Sequence, residues 1–379
     1  MQIFFSRCPR RTDSQRHPKC KTVIRGRSLK KTVQLLIGLG IALGALYYTL
    51  SNVSGKDLLA SFQSVEWVYL IPSTLIIALT YVFRVYRWQV LLSPMQKVKK
   101  SQLFGPVMVG FMSNILPGRA GEFIRAYLLK QRTTISFSGA FATIVVERLF
   151  DLVMMLLMFI WLFALRADVF SAKTQTLGLS MHDLAIKFGQ AGAALIFVLV
   201  IFIYCLVWEK HTFMKIIIWI EARLPEKWSN KLQYWVDEFS IGLSVIRDPK
   251  ALAKITAYSV LIWATITLTF YPLYWAYDLH DKSIDSLVLV TVMVGIFITI
   301  LPTPAFLGST NAAILISLHN IMGEDELKAV SFGMVAWAVG FFVMTAGGIY
   351  YLFRDHLSFG KLVEAEEILE NTNNPDKLD

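Results

Sequence analysis

Eight ionisable residues lie in or beside long apolar runs of this chain: Arg84 and Arg87 in one, Arg119, Glu122 and Arg125 around a Pro/Gly turn, and Glu147, Arg148 and Asp151 in another. A charge in hydrocarbon costs several kcal/mol and is kept where it is used. On a helix, Arg84 with Arg87, Glu122 with Arg125, and Glu147 with Asp151 are neighbours three or four residues apart, so each pair shares one face. Five cations against three anions leave a surplus of two positive charges, which suits a phosphate, and the arginine fork binds phosphate bidentately while staying ionised. The expectation is that Arg84, Arg87, Arg119 and Arg125 hold phosphate while Glu122, Glu147 and Asp151 hold the arginines, with Arg148 in the supporting network. The competing reading is a buried ion-pair network that only fastens the turn in place, and both roles can coexist.

Two turns frame these charges. In the first, residues 114–125, Pro117 ends one half-helix, Gly118 and Gly121 allow close backbone approach, and a second half-helix points its N-terminal N–H groups into the membrane interior beside Arg119, an arrangement that attracts anions. Asn114 and Glu122 flank it. In the second, residues 301–311, Pro302, Pro304 and Gly308 break the chain in the same way without any charge, offering hydroxyls and the Asn311 amide.

The elements around them follow from hydropathy. The chain is 55% hydrophobic and 17% charged, which excludes a soluble globule. Apolar runs near 31–50, 67–92, 136–164, 188–208, 252–277 and 329–353 are each long enough to cross a bilayer. Runs 103–116 and 286–301 stop at the two turns; at about 1.5 Å per residue they fall short of a roughly 30 Å core. Short helical stretches follow at 120–129 and 308–319. The expected fold is an all-α polytopic membrane protein of six spanning helices plus two re-entrant hairpins, whose broken backbone must be buried or line a wet cavity. An N-terminus inside assigns 26 Lys/Arg to the cytoplasm, ten of them in residues 1–31, and six to the outer loops, as the positive-inside rule requires. Both termini are then cytoplasmic. Span, hairpin, span over 67–164 matches span, hairpin, span over 252–353 from the opposite side, an inverted repeat of the kind transporters use; chance similarity of hydropathy is the alternative. A basic tail (1–30) precedes this membrane domain (31–353), an amphipathic linker at 209–250 joins the repeats, and an acidic tail (354–379) is expected to be disordered. Cys8, Cys20 and Cys205 lack zinc spacing, so neither a disulfide nor a metal site is expected.

The pattern N-x-x-P-G-R-x-G-E-x-x-R at 114–125, E-R-x-x-D at 147–151 and the second Pro/Gly turn at 301–311 resemble the flippase-like family that includes the transmembrane region of lysylphosphatidylglycerol synthases, over about residues 31–353. The resemblance implies an inverted-repeat domain that binds or translocates lipids, aminoacylated phosphatidylglycerol in the best-known members and polyprenyl-phosphate-linked sugars in others. No aminoacyl-transferase domain is read in these residues, so lysylphosphatidylglycerol synthesis is not expected. The second turn departs from the family pattern: Ala305 and Phe306 stand where two glycines are usual, and Asn311 where an acid is usual. Asn311 can hydrogen-bond but cannot neutralise an arginine or shuttle a proton.

These readings converge on a multi-pass protein of the inner (cytoplasmic) membrane that binds and translocates an anionic phospholipid or lipid-linked sugar. It is expected to use no cofactor and no nucleic acid, to be no enzyme, and to have envelope-lipid biosynthesis enzymes as possible partners. Two other classes stay open. A polyprenyl-phosphate-dependent glycosyltransferase needs carboxylates on an interfacial loop as base or metal ligands, and no D-x-D-like pair stands on the cytoplasmic side. A non-transporting accessory subunit would anchor a synthesis pathway through the basic tail and amphipathic linker.

Overall fold

The computed structural model of the chain describes residues 25–115, 121–162, 244–301 and 303–357, with a few short stretches between 175 and 241. Apart from a two-residue pairing of Gln175–Thr176 with Leu179–Ser180, the described residues are helices and their connections. They run α1 (Arg25–Leu50), α2 (Gly55–Gln63), α3 (Leu70–Leu92), α4 (Lys100–Met112), α5 (Gly121–Lys130), α6 (Phe137–Ile160), α7 (Pro249–Leu268), α8 (Phe270–Ala276), α9 (Ile284–Ile300), α10 (Ser309–Leu315) and α11 (Glu326–Arg354). Start signals are local: Ser54, Ser136, Asp248, Ser283 and Asp325 each cap a helix by accepting a backbone N–H from its first turn, which satisfies donors that have no partner in the helix.

Among the described residues, Trp67–Leu92, Pro249–Ala276 and Glu326–Arg354 are long and apolar enough to cross a membrane, and α1 with α2 makes a fourth candidate if the pair, bent by 79°, is one span. This is fewer than the six spans expected. α6 is 24 residues long, but Glu147, Arg148 and Asp151 sit along it and lower its apolar content. The run at 188–208 lies outside the described residues, as do most of the amphipathic linker and both tails. The bend after α1 was not anticipated. Asn52 and Ser54 break the apolar run there, and Ser54 starts a fresh nine-residue helix.

The helices form two neighbouring bundles. Val85, Trp88, Leu91, Leu103, Ile144 and Ile255 centre one core; Leu273, Tyr274, Leu287, Ile314, Val330 and Phe332 centre the other. α3 packs lengthwise on α7, and the partners then exchange: α4 lies against α11, while α9 lies against α6. Leu75, Val260, Phe342, Tyr350 and Phe353 stand exposed on the outside, an apolar surface that water does not tolerate over such an area.

The hydrogen bonds define two ends of the molecule. At one, Glu66 N–H donates to Ala276 O (3.1 Å), Asn52 donates to Glu326 (2.9 Å) and Trp161 donates to Asp285 (2.9 Å). At the other, Gln89 donates to Val98 O (2.7 Å) and Arg132 pairs with Asp355 (2.6 Å). α9 leaves the first end and the chain returns to it after α10, where Ser286 meets Met322 and Glu324 accepts from His280 N–H. α4 and α5 both begin or finish at the second end: Gly105 on α4 lies against Arg132 and Asp355. Each pair is thus a helical hairpin open to its own end, and the two tips meet, with Ser113–Ile115 against Pro304–Phe306.

Candidate functional site

The first hairpin closes because two glycines face each other. A Cβ on Gly121 would fall on the Gly110 carbonyl oxygen and within 2.6 Å of Asn114 Oδ1, and one on Gly110 would lie 2.9 Å from the Gly121 carbonyl oxygen. This contact brings α5 close enough to α4 for Arg125 to reach across to α6. Arg125 donates to both oxygens of Glu147, at 2.5 and 3.0 Å, and lies over the Trp88 ring at 3.8 Å. Trp88 is held in turn by its Nε1–H donating to Thr143 Oγ1 (2.9 Å). Arg125, Glu147 and Trp88 are all buried.

One turn further along α6, Asp151 collects the other arginines. Arg87 Nη1 donates to Asp151 (2.8 Å) and to Ser259 Oγ on α7 (3.0 Å), and Trp263 Nε1 donates to the same carboxylate at 3.4 Å. Arg148 donates to Asp151 (3.1 Å) and pairs with Glu122 (2.8 Å). The Arg148–Glu122 pair is the open part of the network, with side chains 37% and 31% exposed, whereas Arg87 has none of its surface exposed. Even so, Arg87 Nε and Nη2 have no hydrogen-bond partner.

Arg84 is bound differently. Its nearest carboxylate is Asp151 at 3.9 Å, and its guanidinium lies over the Phe111 ring at 4.8 Å. Arg84 instead faces a cavity of about 260 Å³ between the two bundles, lined also by Tyr81, Phe111, Phe306, Thr310 and Trp337. Arg84 is the one charged side chain among its described lining residues. Thr80 and Thr269 also border it, their hydroxyls donating to Ile76 O and Thr265 O, and Thr80 bonds Thr265 across the α3–α7 seam (2.9 Å).

The second tip forms the far wall. Ala305 and Phe306 both have left-handed backbone angles, φ 52° and 61°, a region costing about 1–2 kcal/mol for a residue with a Cβ. The two positions noted in the sequence for their missing glycines are therefore the two whose backbone favours glycine. They are held there by Trp337 Nε1 donating to Ala305 O (2.9 Å) and by the bond between Thr303 and Ser309 hydroxyls (2.9 Å). α1 backs the tip: Gly38 lies against Pro304, and Gly308, at φ 84°, against Ala42 and Ala45.

Residues 35–348 match the family described as the lysylphosphatidylglycerol synthase TM region. The chain belongs to that family. With its membrane-crossing helices, this makes it a multi-pass membrane protein. It is also similar to glycosyltransferase AglD of Haloferax volcanii, 25% identical over 126 residues, which is 33% of this chain but 20% of that protein's length. No solved structure matches it.

Against this family background, the structure sorts the residues expected from sequence. It joins Arg84, Arg87, Glu122, Arg125, Glu147, Arg148 and Asp151 into one network. Arg87 and Arg125, expected to offer their forks to a ligand, spend them largely on Asp151 and Glu147, because helix crossing distances put those carboxylates directly opposite. Asn114 lies at the Gly121 contact, apart from the cavity lining. Asn311 is buried; its Oδ1 accepts from Gly308 N–H (3.1 Å) and its Nδ2 has no partner. The Asn311 amide and the Thr303 and Ser309 hydroxyls are thus engaged within the tip, and Thr310 is its one hydroxyl-bearing residue among the described lining residues. Pro117, Gly118, Arg119 and Pro302 lie outside the described residues. Sequence reasoning missed Ser259, Trp263, Trp88, Phe111 and Trp337, which are single polar or aromatic residues in apolar helices and carry no local signal.

Proposed function

We propose that this protein binds the phosphate of an anionic lipid at Arg84 and carries the headgroup between the two hairpin tips. The observation that carries this reading is the contrast among the arginines: three are committed to carboxylates, while Arg84 has only a loose 3.9 Å neighbour and faces the cavity between the bundles. A phosphate entering that cavity gains a charge-assisted contact in a low-dielectric site. Four arginines (Arg84, Arg87, Arg125, Arg148) against three carboxylates (Glu122, Glu147, Asp151) in the described network leave one positive charge in excess there.

The reciprocal packing of α4 on α11 and α9 on α6 supports an inverted repeat over 67–164 and 252–353, with each hairpin re-entering from its own side of the membrane. Such folds expose a midplane site alternately to either face. In this reading α6 spans the bilayer despite its charges because arginines neutralise its carboxylates, both termini are cytoplasmic in the inner membrane, and the protein makes and breaks no covalent bond. Its partners are anionic phospholipids or lipid-linked sugars.

A glycosyltransferase relative gives ground for a second reading, an enzyme using a lipid-linked sugar. Glu122, Glu147 and Asp151 are each engaged by an arginine, so none is free to act as a base. Incorporation of labelled sugar into lipid by the purified protein would restore that reading.

The test is headgroup translocation in proteoliposomes, with fluorescent anionic lipids followed by dithionite quenching. Wild type is expected to expose a phosphate lipid, and Arg84→Gln to lose that activity while eluting and melting like wild type. Equal rates in both proteins refute Arg84 as the headgroup contact.

A further inference from the structure

The lining of the same cavity bears on which anionic lipid it takes, given the reading above that the cavity holds the headgroup. Three observations bear on it. No Asp or Glu is among its described lining residues, and Asn311, beside Thr310, presents no negative charge. An ammonium-bearing headgroup, such as an aminoacylated lipid, therefore finds no counter-ion there, while a bare phosphate finds Arg84. The volume of about 260 Å³ lies just under the roughly 300–1,000 Å³ of pockets for drug-sized ligands, which leaves room for a small head and the first units of one chain. Finally, the walls are rings and branched aliphatics: Phe111, Phe270, Phe341 and Trp337 surround the space with Phe306.

Phe306 stands out among these. A side chain at φ 61° next to another at φ 52° is strained, and glycine would suit both positions at no steric cost. The strain is sustained by the Trp337–Ala305 bond and by α1 behind the turn, and its effect is to put a benzyl group on the cavity wall where glycine would leave space.

We propose that Phe306 is the specificity-determining residue of this cavity, restricting it to a small phosphate head on a single slender chain of the polyprenyl-phosphate class and excluding two-chained glycerophospholipids. Removing the ring widens the cavity and admits the second class.

The experiment is native mass-spectrometric titration of the detergent-solubilised full chain with farnesyl monophosphate and, separately, with dioleoyl phosphatidylglycerol. Wild type, Phe306→Gly and Phe306→Ala are compared; both variants remove the ring, but only the glycine relieves the backbone. Wild type is expected to hold farnesyl phosphate at least about tenfold more tightly than phosphatidylglycerol, and both variants to bring the two within about threefold. Equal affinities in wild type, or discrimination that persists in both variants, overturn the assignment of selectivity to Phe306 and leave the anionic-lipid reading standing. Loss of discrimination in the glycine variant alone also overturns it, since backbone freedom rather than the ring would then be responsible. Binding of neither lipid to wild type overturns the anionic-lipid reading itself.

Discussion

Arg125 and Arg84 are both arginines in apolar helices, yet their surroundings give them different work. Arg125 is clamped by a bidentate carboxylate and a tryptophan face, so its charge is a structural tie between α5 and α6. Removing one partner of a buried pair leaves the other uncompensated, at a cost of about 3–5 kcal/mol. Glu147→Gln is therefore expected to lower the melting temperature in detergent sharply, whereas Arg84→Gln is expected to melt close to wild type; similar losses in the two variants would contradict the division between tie and contact. The charged half of this site was legible in sequence because Glu147 and Asp151 fall four residues apart on one helix and the arginines must be neutralised by something. Ser259 and Trp263 were not, because they sit about 170 and 110 residues from the groups they meet and nothing local announces the encounter. Ala305 and Phe306 are intermediate: their departure from a glycine pattern was readable, but that both would be forced into the left-handed region follows only from the packing of Trp337 and α1.

At the level of elements, hydropathy and Pro/Gly punctuation located where the helices before the two turns end. Lengths of 13 and 17 residues for α4 and α9 follow from where the apolar runs break. The bend between α1 and α2 and the π-helical stretch at Ile316–Ile321 were not legible, since each depends on how a short segment fits its neighbours rather than on its own composition. The α4–α5 hairpin depends on the Gly110–Gly121 approach. Gly121→Ala inserts a methyl group into backbone, and overpacking of this kind costs about 1–3 kcal/mol; the expected result is a lower melting temperature together with weakened lipid binding, because α5 carries Arg125. Unchanged stability in Gly121→Ala would mean that the two helices are less closely opposed than described.

For the whole molecule, the proposed alternate exposure of one site rests on the paired ends and the exchange of partners between bundles. Charge counting in the loops predicts an orientation, both termini cytoplasmic, and it leads to a direct check. Single cysteines at Lys97 and Lys282, introduced after replacement of Cys8, Cys20 and Cys205, are expected to react with an impermeant maleimide from opposite faces: Lys97→Cys only from the cytoplasm, Lys282→Cys only from outside. Labelling of both from one face would remove the inverted arrangement. The cavity itself was not foreseeable, because most residues that line it have the same apolar character as those on the outer surface, and only their convergence from α3, α4, α7, α8, α9, α11 and the second tip distinguishes them.

Photocrosslinking asks whether a phosphate lipid occupies the space beside Arg84. A polyprenyl-type monophosphate carrying a diazirine near its head would be irradiated with the protein in liposomes, and the adducts mapped by peptide mass spectrometry. Adducts are expected on the cavity wall, at Phe111, Phe306 and Trp337, and are expected to disappear in Arg84→Gln. Adducts confined to outward-facing residues such as Phe342 and Phe353, unchanged by loss of Arg84, would contradict that occupancy.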